Sequence, residues 1–272
     1  MLRRLEDLHD GDPRAALEQE LAAPPRWMYH WELGHGLEAP LLGPTLPPIH
    51  ETRAEMMEPA VRQALGAAGS EARALDIACN EGWFAHKLLE WGAAHVVGVD
   101  IREQNIRRAV LVRDHLGVPA DRLDLIVGSA YDLQPAELGT FDVVLCIGLI
   151  YHLENPIGAL RASRALCRGL CVVETQVTRH NAPIVHGWGR PDEYEITEGS
   201  WAAKYEPDQD ANPLASFGGI VSLIPNIAAL DDAMHAAGFA SVQLLAVAPH
   251  HERQYVTGDR AVVTGSAPAG SP

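Results

Sequence analysis

The stretch Arg73 to Gly82, RALDIACNEG, constrains this chain more than any other. Leu75, Ile77 and the small Ala78 suit a strand buried on both faces, as in a parallel sheet. The strand ends in Cys79-Asn80-Glu81-Gly82, after which Trp83, Phe84, Leu88 and Leu89 recur at helical spacing. A strand that breaks through small residues into a helix leaves backbone N–H groups free at a crevice, where doubly wound α/β folds hold a ligand. A second strand, His95 to Val99, ends in Asp100, an acid placed to accept both hydroxyls of a ribose.

The rest of the chain repeats this rhythm. Ile101 to Leu116 has helical spacing closed by Gly117 and Pro119, and Leu123 to Val127 reads as a third strand running into Gly128-Ser129-Ala130-Tyr131-Asp132. Phe141 to Ile147 is a fourth strand, followed by Gly148 to Pro156, where Pro156 opens a helix to about Cys167. Leu170 to Val173 is a fifth strand. Ile227 to Ala237 is a helix closed by Gly238, Ser241 to Ala248 a strand, and Arg260 to Thr264 a last strand that completes seven. The expected fold is therefore α/β, a Rossmann-like, seven-stranded, mostly parallel sheet with helices on both faces.

Two regions depart from the rhythm. Residues 176 to 221 carry His180, His186, Trp188, Tyr194, Trp201, Tyr205 and Phe217 among Gly, Pro and acids. An irregular insertion longer than about 15 residues is usually functional or disordered, and these aromatics argue against disorder. It reads as a substrate cap, with a homodimer contact as the alternative. Residues 1 to about 23 pattern as an amphipathic helix broken at Gly11 to Pro13, and Glu51 to Leu65 as a helix leading into the core. Between them Trp27 to Trp31 are crowded with aromatics, suited either to a lid over an acceptor or to stapling the arm onto the core. The organisation is thus an N-terminal helical arm (1–70), a core (71–175), the cap insertion (176–225), the C-terminal part of the sheet (226–265) and a frayed tail (266–272).

Composition narrows the function. No run reaches the roughly 18 apolar residues of a membrane span, and MLRRLEDLHD lacks the apolar stretch of a signal peptide, so a cytoplasmic protein is expected. The 4 cysteines, Cys79, Cys146, Cys167 and Cys171, form no C-x-x-C pair and fall in apolar segments, as buried free thiols do. A net charge of −15 repels phosphate backbones, so a nucleic-acid partner is disfavoured. No spaced ligand set for a metal is found; His250 and His251 adjoin on an expected edge, where they would be solvated, and no metal is expected.

The first loop places Ala78, Asn80 and Gly82 at every second position behind Asp76, whereas a dinucleotide site needs G-x-G-x-x-G. In this it resembles motif I of the class I S-adenosylmethionine (SAM) methyltransferases, usually written with glycines where Ala78 and Asn80 stand. LDIACNEGWF (75–84), FDVVLCIGLIYHLENP (141–156) and SLIPNIAALDDAMHAAGF (222–239) together resemble one branch of that superfamily. The branch holds the enzymes that modify the wobble uridine of transfer RNA and related small-molecule and sugar O-methyltransferases. The resemblance runs over roughly residues 40 to 265, and its most specific part is G-x-x-YHL-x-x-P from Gly148 to Pro156.

The resemblance implies SAM as cofactor and S-adenosylhomocysteine (SAH) as product. It implies that Asp76, Ala78, Cys79, Asn80 and Gly82 shape the methionine side, that Asp100 and Ile101 meet the ribose, that Ser129 and Ala130 meet the adenine edge, and that Ile147 and Gly148 form the floor. The acid common at the position of Ser129 is missing. Wobble-uridine enzymes that use carboxy-SAM have a lysine just before a Gly-Pro; here Leu42 precedes Gly43-Pro44, so ordinary SAM is expected although Tyr151 matches that family's tyrosine.

Transfer to a hydroxyl needs a base that takes its proton. His152, beside the expected position of the methyl, is the first candidate; its plainer role is a backbone hydrogen bond that shapes the loop. Tyr151 adjoins it, and His180 and His186 follow across the crevice. Trp31, His186 and Trp188 are expected to face the acceptor. The expected function is O-methylation of a small metabolite or sugar. The alternatives are a transfer-RNA wobble-uridine enzyme, a catalytically silent methyltransferase-like partner protein, and a nicotinamide dehydrogenase.

Overall fold

The computed structural model describes residues 2–5, 8, 9, 11–181, 197–205 and 221–268. In chain order the main sheet holds β1 (Arg3–Arg4), β2 (Arg73–Ile77), β3 (His95–Asp100), β4 (Leu123–Val127), β5 (Phe141–Ile147) and β6 (Cys167–Gln176), then β9 (Ser241–Leu244) and β10 (Arg260–Ser266). Its order is β1-β4-β3-β2-β5-β6-β10-β9. A separate antiparallel pair joins β7 (Trp201–Tyr205) to β8 (Val221–Pro225). From β2 the chain winds outward through β3 and β4, then crosses back to β5 and β6, all parallel. The reversal lies between β2 and β5, and the crevice beyond their C-terminal ends is where such sheets bind ligands. Strand β10 returns antiparallel to both β6 and β9.

Period-two burial explains the two layers. Ala74 and Val96 belong to one core, with Phe84 and Leu88 of α3 (Trp83–Glu90), Ile106 and Val110 of α4 (Glu103–His115), and Met57, Val61 and Leu65 of α2 (Leu46–Ala68). Leu75, Ile77, Val97 and Val99 face the other core, with Leu160 and Leu166 of α6 (Pro156–Leu166) and Leu230 and Met234 of α7 (Ile227–Ala237). Strands buried on both faces read as continuous apolar runs, which is why β2 and β5 were legible. The four cysteines are buried and free. Among the described residues no helix is long and apolar enough to cross a membrane.

The main sheet has eight described strands rather than seven. The extra one is β1, which pairs antiparallel with β4 through Arg3↔Val127 and Arg4↔Ile126. It covers an otherwise open edge, and Arg4 and Arg3 reach Asp124 (2.6 Å) and Glu103 (2.5 Å). The expected helix over 1 to 23 is correspondingly shorter: α1 (Pro13–Ala22) starts where Asp12 caps the Ala15 N–H at 3.1 Å. The tail begins later than expected, because Ser266 still pairs with Leu170. Strand β9 stops at Leu244. Of the insertion, 182–196 and 206–220 lie outside the described residues. Its described part, β7 and β8, lies against the turn after β5, where Leu223 N–H donates to the Leu153 carbonyl at 3.0 Å.

Candidate active site

Register aligns the tips of four strands. Ile77 pairs with Val99 and Cys146, and Asp100 with Val127. Their ends open onto one cavity of about 550 Å³, walled on its far side by the N-terminal arm and α2. That is the size class of small-molecule sites.

The loop after β2 is held in a conformation that its residue types resist. Ala78 stands at φ 62°, Asn80 at 50° and Gly82 at 82°, three left-handed residues in alternate positions. Where motif I is usually glycine, this chain keeps the backbone and changes the side chain. At Gly82 the fit is steric as well, since a Cβ there would stand 3.1 Å from the Ala109 Cβ. Asp100 ties the two tips together: its carboxylate accepts the Asn80 N–H (3.0 Å), the Arg102 N–H (2.8 Å) and the Asn105 side-chain amide (3.1 Å). Burial nonetheless pushes its carboxyl up, against those donors.

Behind Ala78 lies Asp76, 1% exposed, with no hydrogen-bond partner on either carboxylate oxygen among the described residues. Burial, then the charge of Asp100, pushes its carboxyl well above the usual range. The Ala85 backbone N–H lowers it only weakly against that burial, so the acid is costly, and a cation held at the loop in front of it would offset that cost. The residues at these two tips therefore fit a nucleoside bearing an amino-acid end. Glu81, also buried, accepts N–H groups from Met28 (3.0 Å) and Tyr29 (3.2 Å) and contacts Arg108 at 3.2 Å. Burial outweighs these contacts and pushes its carboxyl up to about 7. The arm is thereby docked on the loop that shapes the cavity, with the Arg108 guanidinium 4.6 Å from the Trp27 ring.

The cavity also has a cationic wall, which reaches Gly148: a Cβ there would stand 3.5 Å from the Arg53 guanidinium nitrogens. Arg53 of α2, Arg260 at the start of β10 and Tyr151 line it. Glu174, near the end of β6 and fully buried, meets Arg53 at 3.0 Å, Arg260 at 2.9 Å and the Tyr255 hydroxyl at 2.8 Å. Burial would raise the Glu174 carboxyl, but the two guanidiniums outweigh it and hold it below the usual range. The Tyr151 ring lies 5.3 Å from the Arg260 guanidinium and 4.2 Å from the His152 ring.

Of the residues expected from sequence, Ala78, Asn80, Asp100, Ile101, Ser129, Ala130, Ile147, Gly148, Tyr151 and His152 all line this cavity. Asp76, Cys79 and Gly82 do not: Asp76 and Cys79 are buried behind the loop, and Gly82 closes it. Trp31 is 6% exposed and packs edge-on against His86 at 5.3 Å, so it staples the arm and does not face an acceptor. Its neighbours Met28 and Tyr29 line the cavity instead. His180 is exposed and outside the lining, because the chain after β6 runs beside β8, where Thr178 N–H donates to the Pro225 carbonyl. His186 and Trp188 lie outside the described residues. His251 is buried, not solvated: its Nδ1 accepts the Ala248 N–H at 3.0 Å, leaving the proton on Nε2 toward Glu55. That nitrogen offers no lone pair to a metal, although Glu55, His250 and His251 cluster within 4.8 Å. Sequence reasoning missed Arg53, His50 and the pairing of Arg260 with Glu174. The one available signal was an acid near the exit of a buried strand.

A family model described as a methyltransferase domain matches residues 49–244. The tRNA U34 carboxymethyltransferase of Pseudomonas aeruginosa is 28% identical over 178 residues, 64% of this chain and 47% of that protein. The ubiquinone biosynthesis O-methyltransferase of Aromatoleum aromaticum is 31% identical over 121 residues, 44% of this chain and 49% of that protein. The chain spans about half the length of these curated relatives. Among solved structures, the N-terminal domain of EvdMO1, crystallised in the presence of SAH and D-fucose, has a TM-score of 0.66 at 24% identity, covering 97% of this chain and 100% of that one. Magnesium protoporphyrin IX methyltransferase from Synechocystis PCC 6803, with bound SAM, has a TM-score of 0.53 at 12% identity, covering 87% and 88%. These two establish the fold. With the family model matching well over half of its length, the chain belongs to the methyltransferase-domain family, within the class I SAM-dependent methyltransferase fold.

Proposed function

We propose that the protein transfers a methyl group from SAM to a hydroxyl of a small polar acceptor, such as a sugar or a related metabolite. One observation supports the reading: a single cavity is lined both by the Ala78, Asn80 and Asp100 strand tips and by Tyr151 and His152. SAM supplies an electrophilic methyl on its sulfonium. Asp100 would hold the ribose, Ser129 and Ala130 the adenine edge, Asp76 the ammonium through the loop it underlies, and Ile147 and Gly148 the floor. His152 would take the acceptor's proton, since an imidazole titrates near neutral pH. The β7–β8 pair, which lies against the turn after β5, would border the acceptor.

A sugar-sized acceptor is supported by the EvdMO1 domain, crystallised with SAH and D-fucose, and a hydroxyl by the relative named as an O-methyltransferase. The relatives named for transfer-RNA modification favour a second reading, against which stands the charge of −15. The test is SAH release from SAM in the presence of pooled sugars and phenols. Acceptor-dependent release, with a product heavier by one methyl, is expected. Tight SAH binding without turnover on any small acceptor, together with steeply salt-dependent binding of transfer RNA, would overturn it.

A further inference from the structure

Resting on that reading, we propose that His50 binds the acceptor, pairing its imidazole with one of the acceptor's hydroxyls. His50 stands on α2, three residues before Arg53, and is 3% exposed, yet it lines the cavity. Neither of its ring nitrogens has a hydrogen-bond partner among the described residues. Aromatic contact holds the ring instead. The Tyr29 ring lies 4.2 Å away, centroid to centroid, and the Trp83 ring 6.5 Å. Tyr29 and Trp83 stack on each other at 5.6 Å, and Glu81 fixes the Tyr29 backbone by accepting its N–H. Packing thus orients the imidazole without using its polar atoms. An apolar side chain would fill the same place without burying unpaired nitrogens, so the chemistry of the ring points to a ligand in the cavity.

The surroundings decide what the ring can do there. Burial, then the charges of Arg53 and Arg260, lower its conjugate acid to about 2, so the imidazole is neutral near neutral pH. A base that weak cannot hold a proton taken from a hydroxyl, which leaves that task with His152. A neutral imidazole offers an N–H and a lone pair, the complement of a hydroxyl. Under the proposed function the donor's ribose, adenine edge and ammonium are met by Asp100, by Ser129 and Ala130, and by the loop over Asp76. The donor's carboxylate calls for a cation rather than a neutral ring. A hydroxyl of the acceptor is the neutral group left to pair with His50.

The test is steady-state SAH release with whichever of D-fucose, D-galactose, catechol and protocatechuate turns over fastest. His50→Phe is expected to raise the acceptor KM at least about tenfold, with kcat and SAH affinity within about threefold of wild type. His50→Gln, which keeps a donor and an acceptor, should recover most of that loss; a ring needed only for packing would be replaced better by Phe than by Gln. An unchanged acceptor KM in His50→Phe overturns the proposal. So does a loss of SAH affinity beyond about tenfold in a folded variant, which would assign the ring to the donor. So does a fall in kcat at unchanged KM, which would assign it to proton transfer. A second measurement needs no variant to fold. In wild-type protein with isotopically labelled histidine, loaded with SAH, the His50 ring nitrogen resonances should move when the acceptor is added, and resonances unmoved at saturation overturn the proposal. If none of these acceptors releases SAH, the small-acceptor reading itself fails, which is a distinct result.

Discussion

Replacing Ala78 by glycine is expected to make the protein more stable. Ala78 stands at φ 62°, where the Cβ of an L-residue crowds the following carbonyl at a cost of about 1–2 kcal/mol. Glycine removes that strain but frees the unfolded chain, which gives back about 0.5–1 kcal/mol. The balance favours Ala78→Gly by about 0.5–1 kcal/mol, or about 1–4 °C in Tm for a chain of this size. Asn80 tolerates the same region better, so Asn80→Gly should gain less. Ala78→Val is the opposite perturbation, placing a β-branched side chain at positive φ, and should lose at least about 2 kcal/mol. Urea unfolding of the free protein measures all three, and calorimetry with SAH should show Ala78→Gly within about threefold of wild type. If Ala78→Gly were destabilising while Ala78→Val were neutral, the loop would not be left-handed, and the cradle inferred from it would be wrong.

Asp76→Asn should exchange ligand binding for stability. The raised Asp76 carboxyl keeps a proton in the folded state that the unfolded chain releases near pH 4, so its contribution falls as pH rises from there. The gain from Asp76→Asn should therefore be larger at pH 8 than at pH 5 in urea titrations, with SAH affinity down roughly tenfold; a gain independent of pH would remove the carboxyl as its source. Glu174→Ala leaves Arg53 and Arg260 buried without their counter-charge and should cost about 3–5 kcal/mol in thermal unfolding. An unchanged Tm would mean that water already reaches the pair. His152→Ala should lower kcat more than about tenfold with SAH affinity intact; a smaller loss would limit His152 to shaping its loop.

The sheet was legible because β2 and β5 read as near-continuous apolar runs of five or more residues and the helices between them carry helical periodicity. Strand β1 was not, since two exposed arginines have no period, and their pairing depends on an edge that forms far away in sequence. The strand tips that open onto the cavity were legible for a local reason. Ala78, Asn80, Gly82 and Asp100 lie at strand ends, and strand ends of a parallel sheet converge whatever the rest of the chain does. The cationic wall of the cavity depends on long-range packing. Arg53, Glu174 and Arg260 are brought together by α2, β6 and β10, and no spacing in the sequence links them. Trp31 misled for a related reason: an aromatic beside a pocket and an aromatic beneath it look alike until the arm's path is known, and Glu81 sets that path.

The most direct test of the donor site is a calorimetric titration of the protein with SAH, run beside the variant Asp100→Ala. Saturation at one site per chain is predicted for the wild type, with affinity reduced at least about tenfold in the variant. Absence of binding by the wild type, or equal binding by both, would contradict the assignment of the β2 and β3 tips as the grip on the methyl donor.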